Sequence, residues 1–129
     1  PPAPPLAPAR GGGRLQSAGG VGRLHICGDT TPLLNDMPDS GAEIIDLDWM
    51  VDMQAAGEQH GDRITFLGNY DPVAVLYQGT PEEVYKAVWT AAKEGGPRCI
   101  PAAGCEIPLD TPHQNLYAHA RAMCDLATL

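Results

Sequence analysis

Two residues in the stretch "LHICGDTTP", residues 24–32, have the types and the spacing for metal chemistry. Residues i and i+2 of a strand project to the same side. His25 and Cys27 therefore point together, an imidazole beside a soft sulfur, where the strand meets Gly28. Zinc takes imidazole, thiolate and carboxylate ligands, and catalytic sites keep one position open or exchangeable. The pair supplies half of such a ligand set. His-x-Cys alone is a weak signal that an ordinary strand terminus also satisfies. A second cysteine, Cys105 in "AAGCEIP", sharpens it if that residue also ends a strand.

The elements needed to position these residues can be read from the intervening text. Four β-rich runs are predicted at 23–27, 43–47, 64–69 and 99–103. Helix signals alternate with them. Thr80-Pro81-Glu82-Glu83 has the grammar of a capping box with proline in the first turn. Val84, Ala87, Val88 and Ala91 recur behind it at helical spacing as a core stripe, and Gly95-Gly96 stops the helix. Thr111-Pro112 repeats the cap grammar and opens a last helix to about Leu126. A helix is expected near 50–59, and a short one near 32–37 that Pro38 breaks. Strand–helix alternation predicts an α/β chain with a parallel sheet and right-handed crossovers.

In parallel α/β folds the working residues lie at the carboxyl ends of strands. Those ends read His25 and Cys27, then Asp46 and Asp48, then Asn69 and Asp71, then Cys105. Plainer readings stand beside each. Asp46 and Asp48 also suit strand-end and cap carboxylates, and the acidic run at 39–52 is mostly a solvated face. Cys99 and Cys124 read as small core hydrophobes. His60, His113 and His119 read as surface residues.

Composition narrows the function classes. The 129 residues carry a net charge of −8, with every acid at Asp29 or beyond. An acidic body argues against nucleic acid, which needs a basic face. No run approaches the ~18 apolar residues that span a membrane. Nothing resembles a secretory leader, so the four cysteines are expected as thiols or metal ligands in a reducing cytoplasm. Residues 1–13, Pro-rich then Gly-rich, are expected to be disordered, and 14–129 to form the ordered domain.

The texts "LHICGDTTP", "GAEIIDLDW", "GNYDPVAVLYQGTPEEV" and "AAGCEIPLDTPHQNL" together resemble the uroporphyrinogen decarboxylase superfamily, over residues from about 14 to 124. Within it they are most similar to zinc-dependent methylcobamide:thiol methyltransferases. The resemblance implies a TIM barrel, of which this chain is the carboxyl-terminal half. It implies a His-x-Cys…Cys zinc motif, matched by His25, Cys27 and Cys105. It also implies a fourth, carboxylate ligand, usually Glu, for which Asp48 stands nearest and Asp46 second.

The implied activity moves a methyl group from a methyl-corrinoid, carried by a partner protein, to a zinc-bound small thiol. Asn69 and Asp71 would shape the cofactor-binding mouth. The decarboxylase branch fits less well: it lacks His-x-Cys and carries Gly-His-Gly where this chain has Gly104-Cys105-Glu106. Porphyrin decarboxylation and an inactive remnant are the alternatives. Half a barrel also leaves edges near 23–27 and 99–103 without strand partners, which predicts self-association and no turnover for the chain alone.

Overall fold

The structure is a computed structural model that describes residues 12–129; the expected disorder of residues 1–13 lies outside the described residues up to residue 11, whereas Gly12 and Gly13 begin a helix. Four parallel strands, β1 (Arg23–His25), β2 (Ile44–Asp46), β3 (Thr65–Tyr70) and β4 (Ile100–Ala103), lie side by side in chain order. Helices α1 (Gly12–Ser17), α2 (Met53–His60), α3 (Pro81–Glu94) and α4 (His113–Ala127) surround and connect them. The register places Leu24 beside Ile45 and Ile45 beside Phe66. That row faces the helices and forms the core with Leu47, Met53, Ala56 and Ile64. The opposite row aligns His25, Asp46, Leu67 and Ile100. This is part of a TIM-type barrel, with the helix side filled and the inner side open.

Each element has a local cause. Thr80 accepts from the Glu83 amide while Glu83 accepts from the Thr80 amide, so the expected capping box starts α3. Val84, Val88 and Ala91 are buried beneath it. The last helix starts differently from expectation. Pro112 is its N-cap, and Thr111 instead donates to the Pro108 carbonyl at 2.7 Å, closing the preceding loop. Near 32–37 there are two single 3-10 turns, Thr31–Leu33 and Met37–Ser40. Pro38 opens the second turn, where a missing N–H costs nothing.

Two further expectations are corrected. Cys124 is exposed, whereas Cys99 packs against the core as expected. His119 is partly buried, its Nδ1 sharing a 2.8 Å hydrogen bond with the Tyr70 hydroxyl that joins α4 to β3. A ring of period 3.6 on a polar helix carries no sign of a partner 49 residues away. Burial pushes the Tyr70 hydroxyl up to about 12 and holds His119 below its ordinary 6.5. In acid, then, the unfolded chain takes up a proton that the folded one resists. Stability should fall as pH drops through 6.5. Urea midpoints between about pH 5 and 8 should show this slope, and His119→Gln should flatten it. An unchanged slope would exclude the pair as its source.

The outer strands β1 and β4 each pair with one neighbour among the described residues. Ile26 and Ile100 at these edges are 37 and 38% exposed. Edges of this kind template pairing with other chains. The chain by itself should therefore sediment as an oligomer or aggregate at micromolar concentration, and a monodisperse monomer would contradict this.

Candidate metal centre

β1 ends at His25, two residues earlier than expected, because the ladder gives way to a turn. Gly28 takes φ +89°, a left-handed conformation that favours glycine, and its amide donates to Asp48 Oδ2 at 2.8 Å. Cys27 thus stands on the turn just beyond the strand, still beside His25. At the far edge of the sheet, Gly104 donates to the Tyr70 carbonyl and packs against Asp48 and Trp49. This close approach turns Cys105 back toward β1.

The outcome is a three-residue cluster. His25 Nε2 lies 3.1 Å from Cys27 Sγ, Cys27 Sγ lies 3.2 Å from Cys105 Sγ, and Cys105 Sγ lies 4.0 Å from His25 Nε2. Among the described residues these are the ones whose ligand atoms converge within 4.8 Å. The donor set of one imidazole and two thiols fits zinc. Cys27 resists ionising by itself: hydrogen bonding to Cys105, loss of water, and the charges of Cys105, Asp48 and Glu106 push its thiol up.

Asp46 and Asp48 take different places. Asp46 is 3% exposed and its Oδ2 accepts from His25 Nδ1 at 2.8 Å. Arg23 clamps the same carboxylate through Nε and Nη2 at 2.7–3.1 Å. A carboxylate can only accept, so His25 Nδ1 donates to Asp46 and Nε2 faces the sulfurs. Asp48 is 5% exposed, and its oxygens accept from the Gly28 and Trp49 amides. Asp39, Glu43 and Asp52 are exposed, so the acidic run is solvated except at these two positions.

Asn69 donates to the Asp48 and Val51 carbonyls, and Asp71 caps the single π-helical stretch Pro72–Tyr77 through the Val73 and Ala74 amides. Both hold the loops beside the cluster. Arg23 is the site residue that sequence reasoning missed. Its place two residues before His25, on the same strand face, was the available signal.

A cavity of about 400 Å³ opens between His25, Asp46, Leu67 and Cys105 on the inner side of the sheet. A groove of about 550 Å³ between α3 and α4, lined by Tyr85, Tyr117 and Arg121, contains none of the candidate ligands. Exposed apolar side chains crowd the strand-end segments: Ile26 after β1, Trp49 and Met50 after β2, Ile107 and Leu109 after β4. No helix among the described residues is long and apolar enough to cross a membrane.

Comparison with known proteins agrees with this architecture. Over 93 residues the chain is 41% identical to methylcobamide:CoM methyltransferase MtbA of Methanosarcina acetivorans, covering 72% of this chain and 26% of that protein. It is 37% identical over 79 residues to uroporphyrinogen decarboxylase of Rhodococcus erythropolis, covering 61% of this chain and 22% of that one. The chain thus spans about a quarter of the length of the curated relatives it matches. A solved methyltransferase from Methanosarcina mazei superposes with a TM-score of 0.73 at 28% identity, over 90% of this chain and 35% of its own. The profile of the uroporphyrinogen decarboxylase (URO-D) family matches residues 16–126. The four parallel βα units and this match over most of their length lead to one conclusion: the chain belongs to the uroporphyrinogen decarboxylase family.

Proposed function

We propose that this chain carries the zinc centre of a methyltransferase that moves a methyl group from a methyl-corrinoid protein to a small thiol. The convergence of His25 Nε2, Cys27 Sγ and Cys105 Sγ carries this reading. Those three residues would hold Zn²⁺, which when bound would keep an incoming thiol deprotonated near neutral pH. Two thiolates already balance the dication, so the centre is electron-rich and favours a nucleophilic sulfur. Asp48, whose charge acts on the Cys27 thiol, is the carboxylate we propose for a fourth ligand. To serve, it would trade an amide bond from the turn behind Cys27. Asn69 and Asp71 shape the mouth, and the apolar rim from Ile26 to Leu109 suits a docking protein. Coenzyme M, named in the relatives' activity, is the first acceptor to test.

Asp46 has a different part: it orients His25 and fixes its tautomer. Outer partners of this kind are typically worth ~10–100-fold in metal affinity. Asp46→Asn should weaken zinc binding by about that factor in a competitive chelator titration. Affinity untouched by Asp48→Asn but abolished by Asp46→Asn would make Asp46 the fourth ligand instead.

The function itself is tested by titrating zinc-loaded chain with coenzyme M at neutral pH. Thiol binding should release about one proton per chain, and zinc-loaded Cys105→Ser protein should not reproduce it. Thiol binding without proton release would count against the reading. Porphyrinogen decarboxylation, the activity of other relatives, gives the sulfur pair no task.

A further inference from the structure

We propose that Cys27 and Cys105 also form a reversible disulfide with hydrogen peroxide, so that the thiol cluster is an oxidation site as well as a ligand set. The sulfurs lie 3.2 Å apart although the residues are 78 positions apart in sequence. A disulfide bond is ~2.05 Å long, so about 1 Å of closure suffices. Both residues stand on loops beyond strand ends, and the left-handed Gly28 beside Cys27 has open space where a β-carbon would sit. Neither of the other thiols has such a partner. Cys99 is partly buried and donates to the Ala91 carbonyl at 3.3 Å, and Cys124 sits exposed on α4.

The chemistry balances with peroxide as the only oxidant. The sulfur of exposed Cys27 attacks one peroxide oxygen, the O–O bond breaks, and one water leaves behind a sulfenic acid. The Cys105 sulfur then displaces the hydroxyl as a second water and the S–S bond forms. Sulfur is oxidised, peroxide oxygen is reduced, and both thiol protons end in the waters. The bond joins the two outer strands of the sheet across its carboxyl end. It also removes two sulfur ligands at once, so a bound zinc would leave. The disulfide needs only the sulfur pair; the release of metal rests on the proposed zinc centre.

The test treats reduced full-length chain with stoichiometric hydrogen peroxide, once after chelation and once loaded with zinc. Chelated protein should lose two of its four thiols and the mass of two hydrogens. Peptide mapping should join the Cys27 and Cys105 segments, and dithiothreitol should restore both. Cys105→Ser should instead gain one oxygen, trapped on Cys27 by dimedone, and Cys124→Ser should behave as the parent. In the loaded sample, zinc release to a chromogenic dye should keep pace with the cross-link. Oxygen gain without a cross-link in the parent chain, or Cys27 joined between chains, overturns the proposal. A chain that holds zinc yet never cross-links overturns it while leaving the zinc centre intact. A chain that cross-links but never holds zinc supports it and removes the zinc reading.

Discussion

Replacing Cys27 or Cys105 with serine should lower zinc affinity by about a hundredfold or more. An outer hydrogen-bond partner of a ligand is typically worth ~10–100-fold, and these residues are direct ligands in the proposed centre. Each substitution exchanges a soft thiolate for a weak hydroxyl donor, at a position whose sulfur stands about 3–4 Å from the other two ligand atoms. His25→Ala should weaken binding clearly but less, since both thiolates stay. Cys99→Ser should leave affinity unchanged, because that sulfur is tied to the Ala91 carbonyl. Competition against a chelator of known affinity ranks the four variants. A Cys99 effect equal to that of Cys105 would show that folding, and not ligation, is being read.

Gly104→Ala should disturb the centre while leaving His25, Cys27 and Cys105 in the chain. A β-carbon at this position would lie 2.6 Å from the Trp49 amide nitrogen, 2.9 Å from Asp48 Oδ1 and 3.0 Å from the Asp48 carbonyl carbon. Two of the three are backbone atoms and cannot rotate away. Overpacking of this kind typically costs about 1–3 kcal/mol. The strain falls between the Asp48 loop and the turn that presents Cys105, so relief moves the second sulfur away from the first. Zinc affinity should drop together with the denaturation midpoint, whereas Ala102→Gly within the preceding strand β4 should shift the midpoint alone. Undiminished affinity in Gly104→Ala would mean that Cys105 is placed by other contacts.

How far the sequence speaks for the fold differs from element to element. α3 was legible because its cap, its stripe and its stop agree: Thr80 with Glu83, Val84 with Val88 and Ala91, then Gly95. The strand ends were legible as a set, since His25, Asp46 and Cys105 follow from alternation and from where parallel sheets put chemistry. What sequence could not decide was the division of labour between Asp46 and Asp48. Both are carboxylates at the end of β2, two residues apart. Only the three-dimensional arrangement puts one beside His25 Nδ1 and the other beneath the Gly28 amide. Arg23 shares a strand face with His25, but its partner Asp46 is 23 residues away, and the Tyr70–His119 bond spans 49 residues with no local pattern to encode it. Thr111 shows the converse: its cap grammar is sound, but the preceding loop takes the hydroxyl first.

In the proposed centre His25, Cys27 and Cys105 bind one zinc ion together. X-ray absorption at the zinc edge, on chain loaded with one equivalent of zinc, tests it most directly. Two sulfur neighbours at ~2.3 Å and one imidazole nitrogen at ~2.0–2.1 Å are expected, with the remaining position filled by oxygen. A spectrum of oxygen and nitrogen neighbours alone, or protein that retains no zinc after desalting, would contradict it.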